Sequence, residues 1–199
     1  MKVGFVRITL IVTVFFMETI MAERKNYTEE EDRLKERYVN EIVNEFEVEM
    51  QEKFGLMCKG MGGSMPYDIK LIGVRFFVDR KITIDEAREL EVRSTERLVE
   101  MVNACEKIRP FLIQYPWTHN GVEIAISSLK KDGSCYEDGV SFIFQAKGKL
   151  FYYGQREENS LGDEINEETY EEAKQIVDDG PSCLKPIEKK KGWLSWLGF

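Results

Sequence analysis

The sequence predicts an α+β fold: an antiparallel four-stranded sheet with helices packed on it, in the order α-β-α-β-β-β-α. Three observations carry this expectation. Residues 28–54 bear one apolar stripe at helical spacing. Four later segments alternate apolar and polar residues with period two. The last three of these follow one another across glycine turns, Asp132-Gly133 and Lys147-Gly148, which suits a meander better than parallel crossovers.

The chain begins with Lys2 and Arg7, an apolar run at 8–17, Glu18 and then Ala22. This is the layout of a secretory signal peptide, and the run is short of the roughly 20 residues a spanning helix needs. Residues 1–22 are therefore expected to direct export to the periplasm, the cell envelope or the medium. An uncleaved N-terminal anchor is the alternative. One domain, 23–181, and a separate tail, 182–199, are expected to follow.

Within the domain, Thr28 and Glu31 form a capping box at the head of helix 28–54. Leu34, Tyr38, Ile42, Phe46, Met50 and Phe54, widened by Val39 and Val43, make its inner face, and Gly55 ends it. The Gly-rich stretch 55–66 reads as a loop in which glycine supplies positive φ. A strand at 69–79 places Ile72, Val74, Phe76 and Val78 on one face. Thr83 and Glu86 open a second helix that runs to Cys105, with Ala87, Leu90, Ser94, Leu98, Val102 and Cys105 inward. Pro110 and Pro116 bracket an irregular stretch. Val122, Ile124 and Ile126 mark the next strand, with Glu123 on its solvated side. Val140, Phe142, Phe144 and Ala146 mark the third, and Leu150 and Tyr152 the fourth. A last helix at 167–178 buries Tyr170, Ala173, Ile176 and Val177, and Gly180, as a left-handed cap, stops it together with Pro181.

The 199 residues carry a net charge of −8, and the acidity is concentrated at 23–53 and 156–179. No basic stripe with interleaved aromatics occurs, so nucleic-acid binding is not expected. Cys58, Cys105, Cys135 and Cys183 are even in number, and in an exported chain they read as up to two disulfides. The strand at 69–79 spans about 35 Å and the following helix returns about 30 Å. Cys105 is thus expected beside Cys58, which leaves Cys135 for Cys183 by elimination.

Chemistry is sparse. There is no CxxC pair, no phosphate-loop motif and a single histidine, His119, so no metal, cofactor or catalytic residue is assigned. Gly62, Gly63, Ser64, Asp68 and His119 remain a candidate loop site. They would serve a hydrolase-like alternative centred on loops 58–66 and 115–119, with a cysteine paired to His119. The tail places Lys189, Lys190 and Lys191 before Trp193, Trp196, Leu197 and Phe199. Aromatics beside lysines suit a membrane interface or an apolar groove on a partner protein. A tail folded back onto the domain is the other reading.

The run Cys58-Lys59-Gly60-Met61-Gly62-Gly63-Ser64-Met65-Pro66-Tyr67-Asp68-Ile69 resembles a C-x-G-x-G-G-x-M-P-x-D-I signature of uncharacterised exported proteins of chlamydia-related intracellular bacteria. The likeness continues through residues 85–90, Asn103-Ala104, Ile108-Arg109-Pro110, Tyr115-Pro116, residues 150–153 and residues 170–173. It implies export and an α+β domain, and brings no activity or cofactor. The function expected from the sequence is a non-enzymatic interaction or envelope-associated module that meets a protein or a membrane surface. An effector delivered to a host cell shares the same surface features.

Overall fold

Thr28 caps the first helix, α1 (Glu29–Phe54): its hydroxyl accepts from the Glu31 amide while the Glu31 carboxylate accepts from the Thr28 amide. Gly55, at φ 69°, closes the helix in the left-handed conformation. The computed structural model describes residues 27–130, 132–155 and 162–184. The expected export segment 1–22 and the tail residues Lys189, Lys190, Lys191, Trp193, Trp196, Leu197 and Phe199 lie outside the described residues. Helix α1 buries Val39, Ile42, Val43, Phe46 and Met50, as its stripe predicts. It also buries Lys35, which is 2% exposed. The ammonium donates to the Asp32 carboxylate at 2.8 Å and to the carbonyls of Met65 and Tyr67 at 3.1 and 2.7 Å. Its charge is thus fully partnered away from water.

The Gly-rich stretch is not a loop. It is a strand, β1 (Met57–Ser64), paired antiparallel to β2 (Leu71–Val78) with Cys58 opposite Phe76, Gly62 opposite Gly73 and a bulge between Cys58 and Gly60. Glycine has little preference for strands, and pairing with a strongly β-forming neighbour holds the segment extended. Gly60, Gly62 and Gly63 are absent from the positions with positive φ. Gly63 is required for space instead, since a Cβ there would lie 2.3 Å from the Leu71 carbonyl oxygen.

Helix α2 (Ile84–Ala104), opened by the Thr83–Glu86 capping box, carries the chain back to the start of β2. There Ile69 bridges Leu112. The next strand, β3 (Val122–Ser128), therefore starts at the same end as β2 and pairs with it in parallel, Ile72 opposite Val122. Strands β4 (Phe142–Ala146), β5 (Lys149–Tyr153) and β6 (Glu164–Thr169) follow antiparallel. Among the described residues the sheet has six strands in sequential order β1-β2-β3-β4-β5-β6, and it is mixed rather than the expected antiparallel four. Strand β6 takes over residues expected to begin the last helix. That helix, α3 (Tyr170–Asp179), starts at a third capping box, Thr169 with Glu172. Gly180 ends it in an extended conformation, φ −95°, not as the expected left-handed cap.

The three helices among the described residues lie on one face of the sheet, with α2 in contact with both α1 and α3. Being central, α2 is buried on more sides than a surface helix, and Arg88, Glu89, Glu91 and Thr95 are buried with its apolar residues. Trp117, 2% exposed, completes the core from the irregular stretch. Its amide and carbonyl are both held by the Asn103 side chain, at 2.7 and 2.9 Å.

The four cysteines are free thiols. The expected Cys58–Cys105 pair does not form, because β1 carries Cys58 along β2 to the level of Phe76, whereas Cys105 ends the helix that returns to the start of β2. Five residues of strand, about 17 Å, separate those levels. The Cys135–Cys183 pair, inferred from it by elimination, is likewise not formed.

Candidate functional site

The face of the sheet that carries no helix among the described residues is where the sequence pattern and the structure part most. In β2 and β3 the alternation holds: Ile72, Val74, Phe76 and Val78, and Val122, Ile124 and Ile126, point to the helices. In β4 it is reversed. Ile143 and Gln145 are buried under the helices, and Phe142, Phe144 and Ala146 face outward, half-buried. Phe142-Ile143-Phe144 is apolar at every position, so its sequence does not say which side is inner. Pairing with β5, whose Leu150 and Tyr152 are buried as predicted, decides it: Ile143 lies opposite Tyr152, and Phe144 opposite Phe151.

The outward side chains form a continuous aromatic surface. Phe144 lies 5.5 Å from Phe142, 5.1 Å from Phe151 and 6.0 Å from Tyr153 between ring centroids, all nearly parallel. These separations are in the range in which aromatic pairs attract. Beside this surface the sheet sinks into a groove of about 650 Å³, floored by Gly60, Gly62, Gly73 and Ala125 and walled by Phe142 and Phe144. The floor is low because it lacks side chains. A Cβ on Gly60 or Gly62 would meet nothing within 4 Å. Arg75 and Glu123 are the exposed charges over this floor, and Lys59 Nζ lies 5.1 Å over the Phe77 ring at its end.

The candidate loop site is divided among separate places. Gly62, Gly63 and Ser64 belong to β1. The Asp68 carboxylate accepts from the Tyr27 hydroxyl at 2.6 Å, which fastens the approach to α1 onto the β1–β2 connection. His119 sits in the short 3-10 turn before β3, its ring stacked on Tyr170 at 4.2 Å and its Nδ1 3.7 Å from Glu171. Burial lowers its pKa against the opposing pull of Glu171 and so favours the neutral imidazole. Cys58 does not meet it. The Cys58 thiol donates to Glu47 at 2.7 Å, and burial together with that bond pushes its pKa up to about 11. A nucleophilic thiolate needs the opposite shift.

A second polar cluster lies beneath β5 and β6, on the helix side. The Glu168 carboxylate accepts from Arg88 at 2.8 Å and from the Tyr152 hydroxyl, and Arg88 also donates to Asp85. Burial, and then the bond to Glu168, raises the Tyr152 phenol. Glu91 is fully buried nearby on α2. Neither of its oxygens has a hydrogen-bond partner among the described residues, and burial holds its pKa well above the ordinary value. Among the described residues no group of three or more His, Cys, Asp or Glu side chains is placed to hold a metal ion. No helix among them is long and apolar enough to cross a membrane.

Comparison with protein-family models, with curated proteins and with solved structures finds no match to this chain.

Proposed function

We propose that this protein is an exported, non-enzymatic binding module that holds a polypeptide partner on the open face of its sheet. The observation that carries the reading is the groove: a glycine floor that lets another backbone approach closely, beside rings that offer large, rigid contact area. Exposed apolar surface of this kind, rimmed by charges such as Arg75 and Glu123, is characteristic of interaction sites. Asp68, Glu168 and Lys35 serve the fold, each committed to a partner within it. Export rests on the layout of residues 1–22 and on the resemblance to exported proteins.

Site-specific photo-cross-linking in the producing cell tests the reading. A photoreactive amino acid in place of Glu123, on the open face, is expected to capture a polypeptide. The same probe in place of Glu45, on the solvated side of α1, is expected to capture none. Equal capture at both positions, capture of lipid alone, or no adduct at position 123 overturns it.

A further inference from the structure

We infer that one ligand of the open face is the chain's own C-terminal segment, with Trp193, Trp196 and Leu197 seated against Phe142, Phe144 and Tyr153. This rests on the open face being a docking surface, as proposed above, and names a segment that docks there.

The path of the chain supplies the first argument. Helix α3 runs antiparallel to α2: Lys174 pairs with Glu96, Arg93 reaches Asp178 at 3.1 Å, and Ser182 and Cys183 are both held by Glu89, at 2.7 and 2.6 Å. Leu184 is thereby brought beside the first half of α2, at the end of the sheet where β2 and β5 finish and β4 begins. Phe142 and Tyr153, paired opposite one another, stand at that same end on the open side. From Leu184 to Trp193 is nine residues. Extended, they reach about 30 Å, roughly twice the 15 Å or so from a helix packed about 10 Å above a sheet to the side chains on the far face of that sheet.

Chemistry supplies the second argument. Trp193, Trp196 and Leu197 stand at i, i+3 and i+4, the spacing of one side of a helical turn. On one helical turn they would offer an aromatic ridge to set against Phe142, Phe144 and Tyr153, beside the groove of about 650 Å³. Charge supplies the third. Asp163 and Glu164 are exposed at the edge the segment would cross, with Glu164 opposite Tyr153. Lys189, Lys190 and Lys191, five to seven residues past Leu184, fall in the stretch that would cross it. Tethering makes the encounter intramolecular, so modest contacts suffice where a second copy would need high concentration.

Fluorine NMR of the full chain labelled with 5-fluorotryptophan tests the inference. The three tryptophans give three resonances, assigned by Trp→Phe substitutions. Trp117, in the core, reports on folding in every sample. Trp193 and Trp196 are expected away from the free-indole position, and Phe144→Lys is expected to return both to it while Trp117 stays in place. If Phe144→Lys moves Trp117 too, Gly62→Val, which fills the groove where a Cβ meets nothing, takes its place with the same expectation. Tail resonances at the free-indole position in the parent chain overturn the inference, as do resonances that neither variant moves. So do resonances displaced only at concentrations where the chain self-associates, or only when vesicles of anionic phospholipid are added. A free tail together with polypeptide capture at position 123 defeats this inference and leaves the module reading intact. A docked tail without such capture does the reverse.

Discussion

The two faces of the sheet are built from the same six strands and differ in what covers them. On the helix side the strands present Ile, Val and Leu with Phe76 and Tyr152, every one of them nearly inaccessible, and the strand residues Glu168 and Gln145 are hydrogen-bonded to Arg88 and Thr95 of α2. On the other side stand Phe142, Phe144, Phe151 and Tyr153 beside a glycine floor, half-buried and stacked on one another. Apolar character is therefore no guide to which side is the core. Branched aliphatic side chains interlock with helices at core density, whereas flat rings and glycines leave a surface that another chain can meet.

Paired truncations measure how far the two faces differ. Phe46 and Phe76 meet edge to face at 5.7 Å in the core. Phe46→Ala is expected to lower the unfolding free energy by about 3–5 kcal/mol. Phe144→Ala, half-buried on the open side, is expected to cost about 2 kcal/mol, by about 25 cal/mol per Å² of apolar area. Urea denaturation of both variants checks this, and equal losses would mean that the open face is core.

Glycines of β1 sharpen the same contrast within one strand. Gly63→Ala drives a Cβ into the Leu71 carbonyl and is expected to cost about 1–3 kcal/mol, the range for overpacking. Gly62→Ala meets open space and is expected to change stability by less than about 0.5 kcal/mol. A thermal melt of each variant separates them.

Glu91 tests whether the helix side tolerates an unpartnered charge. Its folded pKa is raised above the unfolded value by burial. Its protonated form therefore leaves stability intact below about pH 4.5, and stability falls by about 1.4 kcal/mol per pH unit from there up to the folded pKa. Glu91→Leu is expected to remove that slope and to make the protein more stable than the parent at pH 7. Parallel denaturation curves at pH 5 and pH 7 for parent and variant read the difference.

Thiol reactivity carries the smallest effect and leaves the fold untouched. Four thiols are expected to titrate in the unreduced, denatured protein. In the native protein at pH 8, exposed Cys183 reacts first. Cys58 lags because its pKa stands at about 11 and its Sγ is bonded to Glu47. A denatured count below four would restore the disulfide reading.

Much of this fold was legible because its signals are local. The capping boxes at Thr28 and Thr83, the left-handed Gly55 and the α1 stripe each depend on residues within a few positions of one another. The Thr169–Glu172 box was there to be read in the same way, and with it the true start of α3. The candidate site was barely legible. Its floor came from a segment that reads as a loop, and its wall from a strand that is apolar on both sides.

The sequence by itself determined where α1 and α2 begin, which faces of α1, β2, β3 and β5 turn inward, and that the domain is α+β. In those elements a short-range pattern and the buried outcome agree. The tertiary structure alone decided that Met57–Ser64 and Glu164–Thr169 are strands, that β2 and β3 run parallel, that Lys35 is buried and Cys58 distant from Cys105, and that Phe142 and Phe144 face out. Each of these depends on a partner far along the chain. Backbone pairing imposes an extended conformation on glycine and glutamate alike, and the side on which the helices settle fixes which half of a two-sided strand meets water.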